Sequence, residues 1–379
     1  MTRPRIAFVG GARPNFMKIA PVLRAVDEVN PPFEPVIVHT GQHYSAELSD
    51  VFFEQLGIRK PDVHLDAGSG THGRQTARVL EAFETFLLNA SARIETVMVV
   101  GDVNSTLAAS LAAAKLHIPA VHLEAGLRSF DRTMPEEINR LVTDAVCDLL
   151  LVSEPAGEEN LIREGIPPSR IRYVGNVMID TLVQHLPYAE PNGPATGDRR
   201  FALVTLHRPS NVDSRESLAA ICEFLIGISA ELDIVFPVHP RTKSRLEEFG
   251  LSERLGRSGS IRLLPPLGYV ENLGLMRNAV LVLTDSGGIQ EETSYLSVPC
   301  LTLRENTERP VTLTLGTNML VGSDFEKARQ SVCEILQGKY RKGKAIPGWD
   351  GKAAHRVVAE LSAFLENRHL VSPILQAGA

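Results

Sequence analysis

Three acidic residues in the first half of the chain lie where parallel α/β sheets usually carry chemistry. Asp102 and Glu124 each follow a short apolar run, and Glu136 follows Pro135, a residue favoured in the first turn of a helix. The carboxyl ends of neighbouring parallel strands meet at one edge of the sheet, so Asp102 and Glu124 are expected there together. Crowded carboxylates repel one another, which favours one protonated and one ionised group. The three residues are therefore candidates for an acid and a base that act at one pH.

A glycine-containing turn in the second half is a candidate for binding phosphate. Residues 285–288 follow a predicted buried strand and open a predicted helix. A helix N-terminus carries unpaired N–H groups and about half a positive charge, and Gly287 and Gly288 would let a diphosphate approach that backbone. The hydroxyl of Ser286 can cap the helix or bond a phosphate oxygen. Glu292, one turn further on, is a candidate for accepting the two hydroxyls of a ribose.

Basic residues at strand ends are candidates for binding an anion. Arg13 and Lys18 lie in the glycine loop after the first predicted strand, which matches neither the dinucleotide fingerprint nor a P-loop. Arginine suits bidentate phosphate contacts, whereas lysine acts as a point charge. Arg309 follows another predicted strand, where it can bind phosphate or pair with Glu292.

Two further candidates have a structural alternative. Arg140 lies four residues after Glu136 on the same predicted helix, so it can pair with Glu136 or Glu137 or help to hold an anion. His207 ends the first predicted strand of the second half and is expected to face the site. His239 has the same placement with less support from its neighbours.

The elements that position these candidates alternate in type along the chain. The predicted strands are 6–9, 35–39, 96–100, 120–123 and 149–152, then 201–205, 234–238, 261–264, 280–284 and 300–303. The predicted helices are 16–29, 47–56, 76–88, 105–115 and 135–146, then 214–231, 269–277, 287–296 and 352–367. This alternation predicts an α/β fold of two Rossmann-like, doubly wound domains, 1–175 and 176–350, which face a cleft. A loop rich in proline and glycine, 188–200, separates the two series, and the last helix, 352–368, is expected to pack back onto the first domain.

Composition limits the class of protein. The chain has 379 residues, 44% of them hydrophobic and 22% charged, which is typical of a globular protein of two domains. A net charge of −6 argues against a general nucleic-acid or membrane-surface binder. The four cysteines have no zinc-site spacing, and the apolar run near the N-terminus is too short for a signal peptide. A cytoplasmic protein is expected.

Taken in order, these segments resemble the non-hydrolysing UDP-N-acetylglucosamine 2-epimerases. The matching segments are 11–14 with Lys18, 40–44, 101–102, 122–128, 135–140, 207–208, 285–292 and 307–310. The resemblance implies the glycosyltransferase-B fold, no metal or redox cofactor, and a homodimer. It also places Asp102, Glu124, Glu136 and His207 at catalytic positions, and Arg13, Lys18, Ser286, Gly287, Gly288, Glu292 and Arg309 at UDP-binding positions.

The chemistry implied by the resemblance gives the acids a purpose. If UDP leaves C1 of the sugar, the developing positive charge acidifies the hydrogen on C2, and a carboxylate can remove it to form 2-acetamidoglucal. Protonation from the other face and return of UDP then give UDP-N-acetylmannosamine. His207 can protonate or hydrogen-bond the departing diphosphate, whereas the base and the acid stay unassigned among Asp102, Glu124 and Glu136.

The sequence departs from the family pattern in two places. Residues 209–211 read Pro-Ser-Asn, where many members carry arginine and then glutamate. The sequence therefore does not decide whether this protein has the effector site of regulated members. Gln42, His43 and Arg78 are its candidate residues. Asn272 replaces an aromatic or apolar residue near the uracil, so Tyr269 becomes a candidate for contacting the base.

Four alternative functions stay open at this point. A hydrolysing 2-epimerase would release UDP and N-acetylmannosamine, and a related enzyme would act on a modified sugar such as a diacetamido uronic acid. A glycosyltransferase of the same fold would need an acceptor pocket and not three acids. A non-catalytic nucleotide-sugar sensor would have no use for the acids.

Overall fold

The computed structural model describes residues 3–41, 53, 56–190 and 199–375, with side chains described no further than residue 367. Two compact units divide the chain. The first is Met1–Thr181 with Pro347–Ala379, and the second is Leu182–Ile346. Both are α/β, as the alternating pattern predicts.

A parallel sheet of seven strands forms the centre of the first unit, in the order β3-β2-β1-β4-β5-β6-β7. Its strands are β1 (Arg5–Gly10), β2 (Glu34–His39), β3 (Val63–His64), β4 (Ile94–Val100), β5 (Ala120–Ala125), β6 (Leu149–Val152) and β7 (Ile171–Tyr173). Its helices are α1 (Arg13–Val29), α2 (His72–Asn89), α3 (Asn104–Lys115), α4 (Pro135–Val146), α5 (Pro155–Arg163), α6 (Val177–His185), which runs on into the second unit, and α15 (Ala353–Leu375). The strand order reverses between β1 and β4, which is where doubly wound sheets bind their ligands.

The second unit repeats this arrangement with six parallel strands in the order β10-β9-β8-β11-β12-β13. Its strands are β8 (Phe201–Thr205), β9 (Asp233–Pro237), β10 (Ile261–Leu264), β11 (Leu281–Thr284), β12 (Cys300–Thr302) and β13 (Asn318–Leu320). Its helices are α7 (Pro209–Val212), α8 (Arg215–Ile228), α9 (Pro240–Glu248), α10 (Ser252–Gly256), α11 (Tyr269–Asn278), α12 (Gly287–Leu296), α13 (Pro310–Thr314) and α14 (Phe325–Leu336). The order reverses between β8 and β11, so the second unit has its own ligand-binding edge.

The last helix belongs to the first unit through a specific cap. The Asp180 carboxylate accepts hydrogen bonds from the backbone N–H groups of Ala353 and Ala354, at 3.1 and 2.6 Å. Trp349, just before α15, donates its indole N–H to the carbonyl of Ser153 at 3.0 Å. Because these contacts lie at the start of α15, they hold the first turn of the C-terminal helix against the first unit.

The sequence prediction missed three edge strands and several helices. The strands β3, β7 and β13 have only two or three residues each. The helices that were not predicted include α5 and α9, of nine residues each, and α14, of 12 residues. The predicted helix 47–56 falls almost wholly outside the described residues, as does most of the predicted loop 188–200. Across the described ranges, we find no helix with both the length and the apolar character needed to cross a bilayer.

Candidate functional site

Two of the predicted acids lie beside buried cations at the ligand-binding edge of the first unit. The Nζ of Lys18 is 2.5 Å from Oε2 of Glu124, and both residues are more than 90% buried. An NH2 nitrogen of Arg140 is 2.5 Å from Oδ2 of Asp102. We call Lys18, Asp102, Glu124 and Arg140 the carboxylate site. A cation at this distance favours the ionised form of each carboxylate, so both can accept a proton.

The backbone at Glu124 is strained. Its φ angle is +73°, in the left-handed region that residues other than glycine rarely adopt. The pairing of β5 with β6 shifts between Leu123 and Ala125, which marks a bulge at Glu124. Bulges redirect a side chain, and a strained residue of this kind costs on the order of 1–3 kcal/mol. The fold therefore maintains an unfavourable backbone conformation at the residue predicted to be catalytic.

Arg140 pairs with Glu137, one of the two acids on α4 that the sequence analysis offered as partners. Its NH1 nitrogen is 2.8 Å from Oε2 of Glu137, rather than Glu136. The Glu137 carboxylate also accepts hydrogen bonds from the backbone and hydroxyl of Ser129, both at 2.9 Å, and from the backbone of Phe130 at 3.0 Å. Glu137 thus anchors the loop before α4 and orients Arg140 toward Asp102, while Glu136 is half-buried beside it.

Two buried asparagines that the sequence analysis missed support this edge. Asn15 accepts the N–H groups of Gly11 and Ala12 at 3.1 and 3.0 Å and donates to the carbonyl of Val100 at 2.9 Å. Asn139 donates to the carbonyl of Asp102 at 2.8 Å. Each is a polar residue on the buried face of an amphipathic helix, which is the signal that would have identified them.

The glycine turn, residues 285–288, opens helix α12 at the edge where β8 and β11 pair. Ser286 is the N-cap residue, and its hydroxyl makes no capping hydrogen bond to a described N–H group. A methyl group at Gly288 would meet no described atom within 4 Å, whereas one at Gly287 would lie 2.9 Å from Oε1 of Glu308. Gly288 therefore borders open space, whereas a side chain at Gly287 would require the Glu308 carboxylate to shift.

Asp285 has a different role from the one that its place in the turn suggests. Its buried carboxylate accepts the backbone N–H groups of His207 at 3.1 Å and Arg208 at 2.9 Å, and it lies 3.1 Å from Nδ1 of His207. Asn211 adds a hydrogen bond at 3.0 Å. Burial would raise the pKa of Asp285, but the hydrogen bond and charge of His207, with the Arg208 and Asn211 hydrogen bonds, hold it below its usual value. Asp285 positions His207, and Asn211 in the altered 209–211 segment is part of that support.

Glu292 is the most unusual acid in the second unit. Its carboxylate is buried and accepts the hydroxyl hydrogen of Tyr269 at 2.8 Å. Burial raises the pKa of Glu292 to about 7; the Tyr269 hydrogen bond opposes this rise, and the charge of Glu291 adds to it. The Nε of Arg309 lies 2.5 Å from Oε1 of Glu291, the residue before Glu292. Tyr269, the candidate for contacting the uracil base, donates its hydroxyl hydrogen to Glu292.

His239 lies beside the His207 ring. Its Nδ1 accepts the N–H of Arg241 at 3.2 Å, and the two imidazole centroids are 5.5 Å apart. Burial lowers the pKa of His239, and the charge of His207 lowers it further. His239 therefore caps helix α9 as a neutral ring.

Comparison with known proteins identifies the family. The family model described as UDP-N-acetylglucosamine 2-epimerase matches residues 25–362. A UDP-N-acetylglucosamine 2-epimerase of Methanocaldococcus jannaschii is 44% identical over 94% of this chain and 99% of its own length. The chain belongs to the UDP-N-acetylglucosamine 2-epimerase family.

A further relative and a solved structure support this assignment. A UDP-2,3-diacetamido-2,3-dideoxy-D-glucuronate 2-epimerase of Pseudomonas aeruginosa is 42% identical, over 94% of this chain and 99% of its own. The crystal structure of the M. jannaschii UDP-GlcNAc 2-epimerase in complex with UDP-GlcNAc and UDP superposes with a TM-score of 0.86 at 42% identity, covering 95% of this chain and 99% of that one. The predicted family and the predicted glycosyltransferase-B type of α/β fold are confirmed.

In this member of the epimerase family, the predicted residues are divided between the two units. The first unit holds Arg13, Lys18, Arg78, Asp102, Glu124, Glu136 and Arg140, and the second holds His207, Tyr269, Ser286, Gly287, Gly288, Glu292 and Arg309. Gln42 and His43 lie outside the described residues. Within the described part of the chain, no three histidine, cysteine, aspartate or glutamate side chains are grouped to hold a metal ion.

Proposed function

We propose that this protein interconverts UDP-N-acetylglucosamine and UDP-N-acetylmannosamine by eliminating UDP to form 2-acetamidoglucal and adding it back. The observation that supports this reaction best is the carboxylate site, in a chain that belongs to the 2-epimerase family. It offers two carboxylates at the ends of neighbouring strands, each with its own cation. Inversion at C2 requires one group to remove a proton from one face and another to deliver a proton to the opposite face.

In this proposal, Lys18 and Arg140 act on the carboxylates of the enzyme. Lys18 contacts Glu124 and Arg140 contacts Asp102, so their charges stabilise the carboxylates that take up and return the C2 proton. A base must be ionised before it accepts a proton, and a neighbouring cation favours that form. Glu136, half-buried on α4, is the proposed third acid. For inversion, a carboxyl group on the opposite face, protonated before the glycal forms, must give its own proton to C2, while the base keeps the proton that it removed. Both groups then return to their starting protonation states by exchange with solvent.

The second unit supplies the proposed binding of UDP. The N-terminus of α12 with Ser286 and Gly288 binds the diphosphate, because unpaired N–H groups and the helix dipole stabilise negative charge. His207, oriented by Asp285, hydrogen-bonds the diphosphate as it leaves C1. Glu292, oriented by Tyr269, accepts the ribose hydroxyls. Arg13 and Arg309 are the further proposed phosphate contacts.

NMR of UDP-N-acetylglucosamine with the enzyme in D2O tests the reaction. Deuterium at C2 with UDP still attached, in both epimers, is the expected result. Free N-acetylmannosamine would identify a hydrolysing enzyme, and transfer to an added acceptor without C2 exchange would identify a glycosyltransferase.

Variants of the carboxylate site test the residue roles. Asp102→Asn and Glu124→Gln should each abolish C2 exchange while UDP still binds. Asp148→Asn and Glu95→Gln make the same chemical changes at the amino ends of β6 and β4, so their exchange rates should match the wild type. Turnover at the wild-type rate in either carboxylate-site variant would contradict the assigned roles.

A second candidate substrate is favoured by one comparison. The P. aeruginosa relative at 42% identity is a 2-epimerase of a diacetamido uronate, nearly as similar as the N-acetylglucosamine enzyme. The ratio of kcat/KM for the two UDP-sugars distinguishes them, and a ratio above 100 in either direction (about 2.7 kcal/mol) decides the substrate.

Assembly and regulation are further parts of the proposal. We expect a homodimer, which sedimentation equilibrium at several concentrations would show, with a monomer mass contradicting it. Arg78, whose guanidinium donates to the carbonyl of Ser69 at 3.3 Å, borders a hollow with His64, Asp66 and Glu81. With Gln42 and His43, it is proposed to bind a second UDP-N-acetylglucosamine, and sigmoidal substrate dependence that Arg78→Ala abolishes is the expected result.

A further inference from the structure

A buried histidine connects the carboxyl ends of β4 and β5, where Asp102 and Glu124 lie. His122 is in β5, two residues before Glu124, and its ring is fully buried. Its Nε2 is 2.8 Å from the carbonyl oxygen of Gly101, the residue before Asp102. Its Nδ1 is 2.6 Å from Oδ1 of Asp144 on α4. The ring therefore connects the end of β4 to helix α4.

The hydrogen-bond partners determine how the ring is protonated. A carbonyl oxygen only accepts, so Nε2 must carry a hydrogen. Asp144 is ionised because an NH2 nitrogen of Arg128 lies 2.7 Å from its Oδ2, so Nδ1 must also carry a hydrogen. Burial opposes ionisation of Asp144, but His122 and Arg128 together hold its pKa below the usual value. The ring that fits both contacts is the imidazolium.

Arg128 contacts an exposed acid as well as the buried Asp144. Its guanidinium also pairs with Glu164 at 2.7 Å, and the side chain of Glu164 is 34% exposed. Both Arg128 and Asp144 are almost fully buried, so the charge of Arg128 acts on the Asp144 carboxylate without screening by solvent and favours its ionised form. An ionised Asp144 requires a hydrogen on Nδ1 of His122.

The pair of His122 and Asp144 also holds the backbone on both sides of the site. Oδ2 of Asp144 accepts the N–H of Gly126 at 3.1 Å, two residues after Glu124. The bulge and the positive φ of Glu124 lie between this contact and His122. One ion pair thus fixes the backbone before Asp102 and the backbone after Glu124.

We propose that His122, as an imidazolium paired with Asp144, is a positioning residue that sets the relative placement of the carboxylates of Asp102 and Glu124. It contacts neither carboxylate, so it acts through the Gly101 carbonyl and the strained β5 end. The inference rests on the proposed epimerase reaction for its kinetic readout, but the geometry of the ring can be measured without any reaction.

His122→Gln tests this role because an amide can donate to Gly101 or to Asp144 but not to both. The expected kcat for C2 exchange, counted per UDP-binding site, is about 10- to 100-fold lower, since small misplacements of catalytic groups cost this much. UDP affinity should stay within about twofold, because the proposed UDP contacts of the second unit are unchanged. Asp144→Asn should lower kcat in the same way, and the double variant should lose less than the product of the two effects.

His39→Gln is the matched control. His39 is also buried at the carboxyl end of a strand, but its Nδ1 accepts the N–H of Gly41 at 2.8 Å, and burial together with His64 lowers its pKa to about 4. It is a neutral ring with a structural role, so His39→Gln should lower the melting temperature and leave kcat per UDP site within about threefold. An equal loss of kcat in His39→Gln and His122→Gln would overturn the proposal, as would an unchanged kcat in His122→Gln.

Nitrogen NMR of 15N-histidine enzyme gives a second test that needs no turnover. The resonances that disappear in His122→Gln should show protons on both ring nitrogens at pH 7.5, and Asp144→Asn should change them. A single ring N–H would overturn the proposal even if His122→Gln fails to fold. Absence of C2 exchange in the wild type would instead refute the proposed function and leave the ring assignment standing.

Discussion

Replacing Glu292 with glutamine should make the second unit more stable and its proposed nucleotide binding weaker. The folded-state pKa of Glu292 is about 7 against an ordinary value of 4.5, mainly because of burial. The pKa is raised, so ionising this carboxyl destabilises the fold. That cost is absent below the unfolded-state pKa, grows between pH 4.5 and about 7, and is fully present above it.

The magnitude follows from the two pKa values. One pKa unit corresponds to about 1.4 kcal/mol, so the cost reaches about 3 kcal/mol at pH 8 and is below about 1 kcal/mol at pH 5. Glutamine removes the charge but keeps an oxygen that can accept the Tyr269 hydroxyl hydrogen. For a domain of this size, the melting temperature of Glu292→Gln should rise by roughly 6–12 °C at pH 8 and by roughly 2–3 °C at most at pH 5.

The same substitution should weaken UDP binding by about tenfold or more at pH 8, because a carboxylate forms stronger hydrogen bonds to ribose hydroxyls than an amide does. Differential scanning calorimetry at the two pH values, with titration calorimetry of UDP, measures both effects. Glu291→Gln is the matched control: Glu291 pairs with Arg309 at 2.5 Å, so losing its charge should lower the melting temperature. A Glu292→Gln protein that is no more stable at pH 8, or equally stabilised at both pH values, would refute the reasoning.

Three more predictions concern single contacts. Gly288→Ala should not lower the melting temperature but should weaken UDP binding at least tenfold, whereas Gly287→Ala should lower the melting temperature because the buried Glu308 carboxylate must shift. Equal UDP affinity in the wild type and Gly288→Ala would contradict the proposed approach of the diphosphate to this glycine. Lys18→Met should raise the pKa of Glu124, so the C2-exchange rate should fall at pH 7 and recover at higher pH, and an unshifted pH profile would exclude Glu124 as the base. Asp180→Ala should cost about 1–2 kcal/mol, because two N–H groups at the start of α15 lose their acceptor; urea unfolding measures this, and an unchanged midpoint would show that packing alone holds the helix.

The sequence by itself determined the fold class, the family and the places where functional residues occur. Strands buried on both faces are read as short apolar runs, and helices as longer segments with a 3.6-residue period, so their alternation predicts parallel sheets. The ends of those strands are local features too, which is why Asp102, Glu124, His207 and Ser286 were identified as candidates. The short strands β3, β7 and β13 were not predicted, because two or three residues are too few to show a hydrophobic pattern.

The tertiary structure alone decided which partner each of these residues has. Lys18 lies against Glu124, Arg309 lies against Glu291, and the Asp285 carboxylate contacts His207. These partners are up to about a hundred residues apart in the chain, and sheet order, not sequence spacing, brings them together. The left-handed φ of Glu124 has no sequence signal either, because only the surrounding packing can maintain a conformation that the residue itself disfavours.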